Sequence, residues 1–151
     1  MCNVNRIIGV IGSSSPTKKA YEQAFRVGEL IAESRAVLIC GGLGGVMEAA
    51  CKGAKAKGGT TIGILPGSDT TDANLWVDYP IATGLGHGRN MIITNTAQSL
   101  VAVSIGYGTL SEVALSLASG KKVFGLETWD IKGVTACETP EIAVSNALIS
   151  K

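Results

Sequence analysis

The stretch Ser104-Ile105-Gly106-Tyr107-Gly108-Thr109-Leu110-Ser111-Glu112 decides how the rest of the 151-residue chain is read. It follows Leu100-Val101-Ala102-Val103, an apolar run with the length and side-chain shape of a buried strand. It leads into Leu110, Val113, Ala114, Leu117 and Ala118, which recur at helical spacing. A strand therefore feeds a glycine turn, and the turn feeds a helix N-terminus. The start of a helix presents unpaired N–H groups and the positive end of the helix dipole. Gly106 and Gly108 let the backbone approach a ligand with no Cβ in the way, and Thr109 adds a hydroxyl donor. The combination suits a phosphate or another small anion. Glu112 is expected on the first helical turn, where a carboxylate either complements the dipole or stands beside the bound anion.

Working outward, the same strand–turn–helix alternation fills the chain. Strands are expected over 6–12, 36–40, 60–65, 79–83, 100–104 and 122–127, and helices over 18–34, 46–57, 89–98 and 109–119. Residues 128–137 read as irregular, and Thr139 as N-cap with Pro140 at the first helical position starts a last helix to 149. This order predicts one α/β domain over 1–151, with a doubly wound, mostly parallel six-stranded sheet and helices on both faces. Such a sheet gathers its strand C-termini on one edge. The loops 12–16, 41–45, 66–72, 83–89 and 106–109 would meet there, and they hold most of the glycines and hydroxyls.

Composition narrows the partners. Hydrophobic residues make up 46% and charged residues 17%, which describes a globular chain. Aromatic residues are 5%, so the core is built from Val, Ile, Leu and Ala, as a parallel sheet buried on both faces requires. The 20 glycines exceed the roughly 7% of average usage and sit mainly at strand ends. A net charge of +1 offers no basic patch for nucleic acid. No apolar run approaches the roughly 20 residues of a membrane span, and no signal-peptide pattern opens the chain. Cys2, Cys40, Cys51 and Cys137 form no C-x-x-C pair and read as reduced thiols of a cytoplasmic protein. With His87 as the sole histidine, no metal site is expected.

Two phosphate motifs are excluded. The sequence holds no G-x-x-x-x-G-K-[ST]: Gly120-Lys121 is preceded at the required place by Leu115. Neither Gly42-Leu43-Gly44 nor Gly106-Tyr107-Gly108 completes G-x-G-x-x-[GA], since Met47 and Ser111 occupy the last position. The turn Gly41-Gly42-Leu43-Gly44-Gly45 admits two readings, close strand–helix packing or ligand contact. Arg89, after a glycine-rich loop on the ligand edge, is a candidate anion partner. His87 and Trp76 are placed in partly exposed loops, Lys18 and Lys19 at a solvated helix start. Met91, Ile92 and Ile93 are more apolar than one core-facing stripe needs, so that helix is expected to meet another subunit of a homodimer or homotetramer.

These motifs, in this order, resemble the LOG ("Lonely Guy") superfamily, whose members were once labelled lysine decarboxylases. Gly12-Ser13-Ser14 matches its Gly-Ser-Ser turn, and Gly41-Gly42-Leu43-Gly44-Gly45-Val46-Met47 its G-G-x-x-G-[LV]-M segment. Arg89 matches its helix arginine, and Gly106-Tyr107-Gly108-Thr109-Leu110-Ser111-Glu112 matches the end of P-G-G-x-G-T-x-x-E. The resemblance covers about residues 6–127. It implies a Rossmann-like fold, an oligomer, and hydrolysis of a nucleoside 5′-monophosphate to free base and ribose 5-phosphate, with no cofactor. It assigns Arg89 and Glu112 to catalysis. Gly12, Ser13, Ser14, Gly42, Gly44, Gly45, Met47, Gly106, Gly108 and Thr109 fall to phosphate and nucleotide binding. Ser104-Ile105 stand where the family has Pro-Gly, and Asn90 where its phosphoribohydrolases have Lys. These departures bring the chain nearer a branch that resembles molybdenum-cofactor carriers, which bind a phosphorylated pterin without cleaving it. N-glycoside hydrolysis passes through an oxocarbenium-like state that a carboxylate stabilises. The pair Arg89 and Glu112 tips the reading toward the enzyme, with the carrier as the alternative. No lysine stands out for Schiff-base chemistry, so a decarboxylase is not supported.

Overall fold

A computed structural model of the protein describes residues 5–150, so Cys2 lies outside the described residues. Seven strands form one sheet: β1 (Ile7–Gly12), β2 (Val37–Cys40), β3 (Thr60–Leu65), β4 (Tyr79–Ala82), β5 (Ser99–Val103), β6 (Lys122–Leu126) and β7 (Val134–Ala136). Their order is β4-β3-β2-β1-β5-β6-β7 and every pairing is parallel. The expected six strands are therefore corrected to seven. The added one lies in the stretch read as irregular, where Val134, Thr135 and Ala136 pair with Val123, Phe124 and Gly125. Three residues at a sheet edge, two of them exposed, leave no periodic signal to read.

Five helices cover the sheet: α1 (Lys18–Glu33), α2 (Val46–Ala56), α3 (Asn90–Thr96), α4 (Tyr107–Ala118) and α5 (Pro140–Ile149). Alternation along the strands divides the core in two. Ile8, Val10, Leu38, Val101 and Val103 face α1, α2 and α5, whose Ala24, Val27, Ala50 and Val144 complete that layer. Ile11, Ile39, Leu100 and Ala102 face the other way, toward Ile93 of α3 and Val113 of α4. Helices thus lie on both faces.

Local chemistry sets the helix ends. The Thr17 hydroxyl accepts from the Ala20 N–H at 3.2 Å to cap α1, and the Thr139 hydroxyl accepts from the Ile142 N–H at 3.3 Å before Pro140. Two helices differ from expectation. Arg89 belongs to a 3-10 turn, Gly86–Arg89, and Ala97 is already extended, so α3 is shorter than 89–98. The Gln98 N–H donates to the Ile7 carbonyl at 3.0 Å, which draws the chain into β5 early. α4 begins at Tyr107, two residues ahead of expectation, which moves Glu112 from the first helical turn to the second. No helix among the described residues is long and apolar enough to cross a membrane.

Candidate ligand-binding site

β1 and β5 are neighbours, with Gly12 opposite Val103, yet α1 and α4, which follow them, pack on opposite faces. The chain diverges between these two strands, and a crevice opens at their C-terminal ends, as parallel open sheets require. The cleft there measures about 240 Å³. One wall is Gly12, Ser13 and Ser14 after β1; the opposite wall is Gly106, Tyr107, Gly108 and Thr109 at the start of α4. Met47, Arg89 and Glu112 close the floor, and Leu43 and His87 join the rim.

The turn before α4 presents open hydrogen-bond donors to the cleft. Gly106 precedes the helix without any side-chain cap, so the N–H groups of residues 107–109 have no capping partner. Thr109 is 1% exposed, and its buried hydroxyl has no hydrogen-bond partner although it lines the cleft. A buried polar group left unpaired is destabilising, so a hydroxyl held this way at a cleft wall is suited to donate to a ligand. Ser104 adopts a left-handed φ of +69° and donates its N–H to the Leu126 carbonyl at 3.0 Å. A proline at this position could neither take that φ nor donate. The Ser104-Ile105 departure from Pro-Gly therefore builds a different turn, with Ile105 half-exposed beside the cleft.

Arg89 and Glu112 are both buried, at 8% and 6% exposure. The Arg89 Nε donates to the Ile64 carbonyl at 2.8 Å, and its Nη1 donates to the Asn90 side-chain oxygen. Asn90 Nδ2 donates in turn to Ser111 Oγ at 2.9 Å, and Ser111 Oγ to the Gly108 carbonyl at 2.8 Å. A chain of hydrogen bonds thus ties the arginine to the Gly106–Thr109 turn through Asn90, where the LOG hydrolases have lysine. Burial lowers the Arg89 pKa and the Glu112 charge opposes that shift. Burial pushes the Glu112 carboxyl up to about 7, and Arg89 offsets this only in part.

Gly42, Gly44 and Gly45 fall outside the cleft lining. A Cβ on Gly45, at φ +67°, would stand 2.4 Å from the Ser13 carbonyl oxygen, and the Val46 N–H donates to that carbonyl at 2.9 Å. A Cβ on Gly42, at φ +76°, would press on Leu65 at 2.9 Å. These two glycines let the second turn fit under the first, whereas Gly44 has open space around it. Trp76 is outside the cleft and carries Lys52 Nζ at 5.7 Å from its ring. Lys18 and Lys19 pair with Glu22 and Glu127. The sequence reading did not select Leu43, Tyr107, Asn90 or Ser111 for the site; only the departure at Asn90 signalled one of them.

Residues 5–148 match the SLOG cluster4 family. The chain belongs to that family. It is a branch of the LOG superfamily that resembles the molybdenum-cofactor carriers. An uncharacterized protein of Archaeoglobus fulgidus is 49% identical over 144 residues, 95% of each chain. The molybdenum cofactor binding protein from the phototrophic bacterium Rippkaea orientalis is 38% identical, with a TM-score of 0.91 over 98% of this chain and 99% of that one. The molybdenum cofactor carrier protein MCP from Chlamydomonas reinhardtii is 36% identical, with a TM-score of 0.86 over 96% and 97%.

Proposed function

We propose that this SLOG cluster4 protein binds a phosphorylated pterin of the molybdenum-cofactor type at the β1–β5 crevice and holds it as cargo. The observation that carries this reading is the unpartnered Thr109 hydroxyl at the start of α4, just after Gly106 and Gly108, where the first helix N–H groups have no side-chain cap. A phosphate monoester accepts from both. The likeness to the Rippkaea and Chlamydomonas proteins supports a pterin over other phosphorylated ligands. Thr109→Val keeps the shape and removes the donor. Affinity for the phosphorylated pterin should fall about 10- to 150-fold, the scale of a hydrogen bond to a charged group. Apo stability should hold or rise, because a buried unpaired hydroxyl is gone. Calorimetry on wild type and variant checks this; an unchanged affinity contradicts the placement of the phosphate.

One observation favours a second reading, hydrolysis of a nucleoside 5′-monophosphate: Glu112 lines the same cleft as the anion loop. Its ionised form can stabilise an oxocarbenium-like sugar. A pKa of about 7 leaves only part of the population ionised at neutral pH, which weakens this role. Chromatographic detection of free base from AMP decides it: the carrier releases none. Assembly is part of the proposal too. Ile93 is fully buried in the core, while Met91 remains 42% exposed. We place a subunit contact on this α3 face, and light scattering should return a homodimer or homotetramer; a monomer at micromolar concentration contradicts it.

A further inference from the structure

Beneath the cleft, on the opposite side of the 41–45 turn, two sulfur atoms face each other. Cys40 ends β2 and Cys51 lies within α2; both are fully buried, and their Sγ atoms are 3.5 Å apart. A buried cysteine is ordinarily a small apolar filler. Three features set this pair apart. The sulfurs are aimed at each other. The Gly42 N–H donates to Cys40 Sγ at 3.3 Å, which favours a thiolate there. Gly41, which follows Cys40 directly, abuts the cleft: a Cβ on it would meet Arg89 Nη2 at 2.6 Å and Met47 Sδ at 2.7 Å, two side chains that line it.

We infer that Cys40 and Cys51 form a redox-modification site, a dithiol that a hydroperoxide closes to an intrachain disulfide and a thiol reductant reopens. Cys40 is the attacking sulfur. The Gly42 N–H donates to Cys40 Sγ and stabilises its thiolate, and the Cys51 thiol 3.5 Å away is placed to resolve the oxidised sulfur. The Cys40 thiolate attacks the O–O bond and becomes a sulfenic acid, and the hydroperoxide leaves as an alcohol after taking up a proton. Cys51 sulfur then displaces the hydroxyl from Cys40, and the Cys51 proton departs with it as water. Two thiols and one hydroperoxide give one disulfide, one alcohol and one water; the sulfurs lose two electrons and the peroxide gains them. The sulfurs must close from 3.5 Å to about 2.05 Å. Cys40 and Gly41 move with them, so the floor under Arg89 and Met47 shifts. The inference does not depend on which ligand the cleft holds.

Tryptic peptide 36–52 contains both cysteines, with no Lys or Arg between its ends. The folded protein is treated with hydrogen peroxide, unfolded in excess iodoacetamide without reductant, and digested. The expected product is peptide 36–52 lighter by two hydrogens and carrying no alkyl group; prior dithiothreitol should restore the doubly alkylated form. Cys51→Ala should lose the looped product and leave a Cys40 sulfenic acid that dimedone traps when it is present during unfolding. If that variant does not fold, the wild-type digest still decides. Peptide 36–52 recovered doubly alkylated under peroxide that oxidises the half-buried Cys137 would overturn the inference, as would Cys40 joined to Cys137 instead.

Discussion

Replacing Glu112 by glutamine should raise the thermal midpoint at pH 8 by roughly 6–12 °C and change it little at pH 4. The carboxyl is 6% exposed, and burial lifts its pKa from the ordinary 4.5 to about 7. The folded state therefore holds the Glu112 proton more tightly than the unfolded chain does. That contribution to stability is fully present below pH 4.5 and is lost as pH rises through 7. Across this window the wild type gives up about 3 kcal/mol, and the neutral glutamine gives up none. Melting curves of both proteins between pH 4 and 8 measure the difference. A difference that stays flat with pH would mean that Glu112 is not buried as described. The same charge opposes a bound phosphate, so anion affinity should weaken between pH 6 and 8 in the wild type and stay level in Glu112→Gln. A residue this destabilising at neutral pH is expected at a binding site, where function retains what stability alone would remove.

Replacing Gly28 by alanine should lower stability by about 3 kcal/mol or more, against the gain of about 1 kcal/mol that this exchange brings inside an ordinary helix. A Cβ on Gly28 would lie 1.9 Å from the Ala50 carbonyl oxygen, and a Cβ on Gly53 the same distance from that of Phe25. α1 and α2 touch backbone to backbone through these glycines, and an added methyl forces them apart. The thermal midpoint should drop by roughly 6–12 °C. Because α2 carries Met47 and the 41–45 turn, ligand binding should weaken with it. A midpoint that holds or rises would contradict the close approach.

The contact between Gly28 and Ala50 marks where sequence reading ends. The stripe of Ala20, Ala24, Val27 and Ile31 announces a helix with a buried face, but nothing in it tells which helix lies opposite, nor that glycine is needed there. The strand–turn–helix units were legible because period and punctuation are local; β7 was not, because three edge residues carry neither. The site shows the same boundary. Thr109 and the two glycines before it could be read from their place before a helical stripe. The link from Arg89 through Asn90 and Ser111 to Gly108 joins residues 21 positions apart and appears only once α3 and α4 pack together. Gly42 and Gly45 stayed ambiguous because glycine serves both packing and ligand approach; the left-handed φ values and the pressure from Leu65 and Ser13 account for them by packing.

Identifying the small molecule that copurifies with the protein is the most direct measurement. The protein is purified under reducing conditions from cells that make the molybdenum cofactor, and the bound fraction is released and identified by mass spectrometry. The prediction is a phosphorylated pterin at close to one per subunit, strongly depleted in Thr109→Val, with no free base released from AMP. A nucleoside monophosphate in its place, turned over by the wild type and not by Glu112→Gln, would contradict the carrier and install the hydrolase.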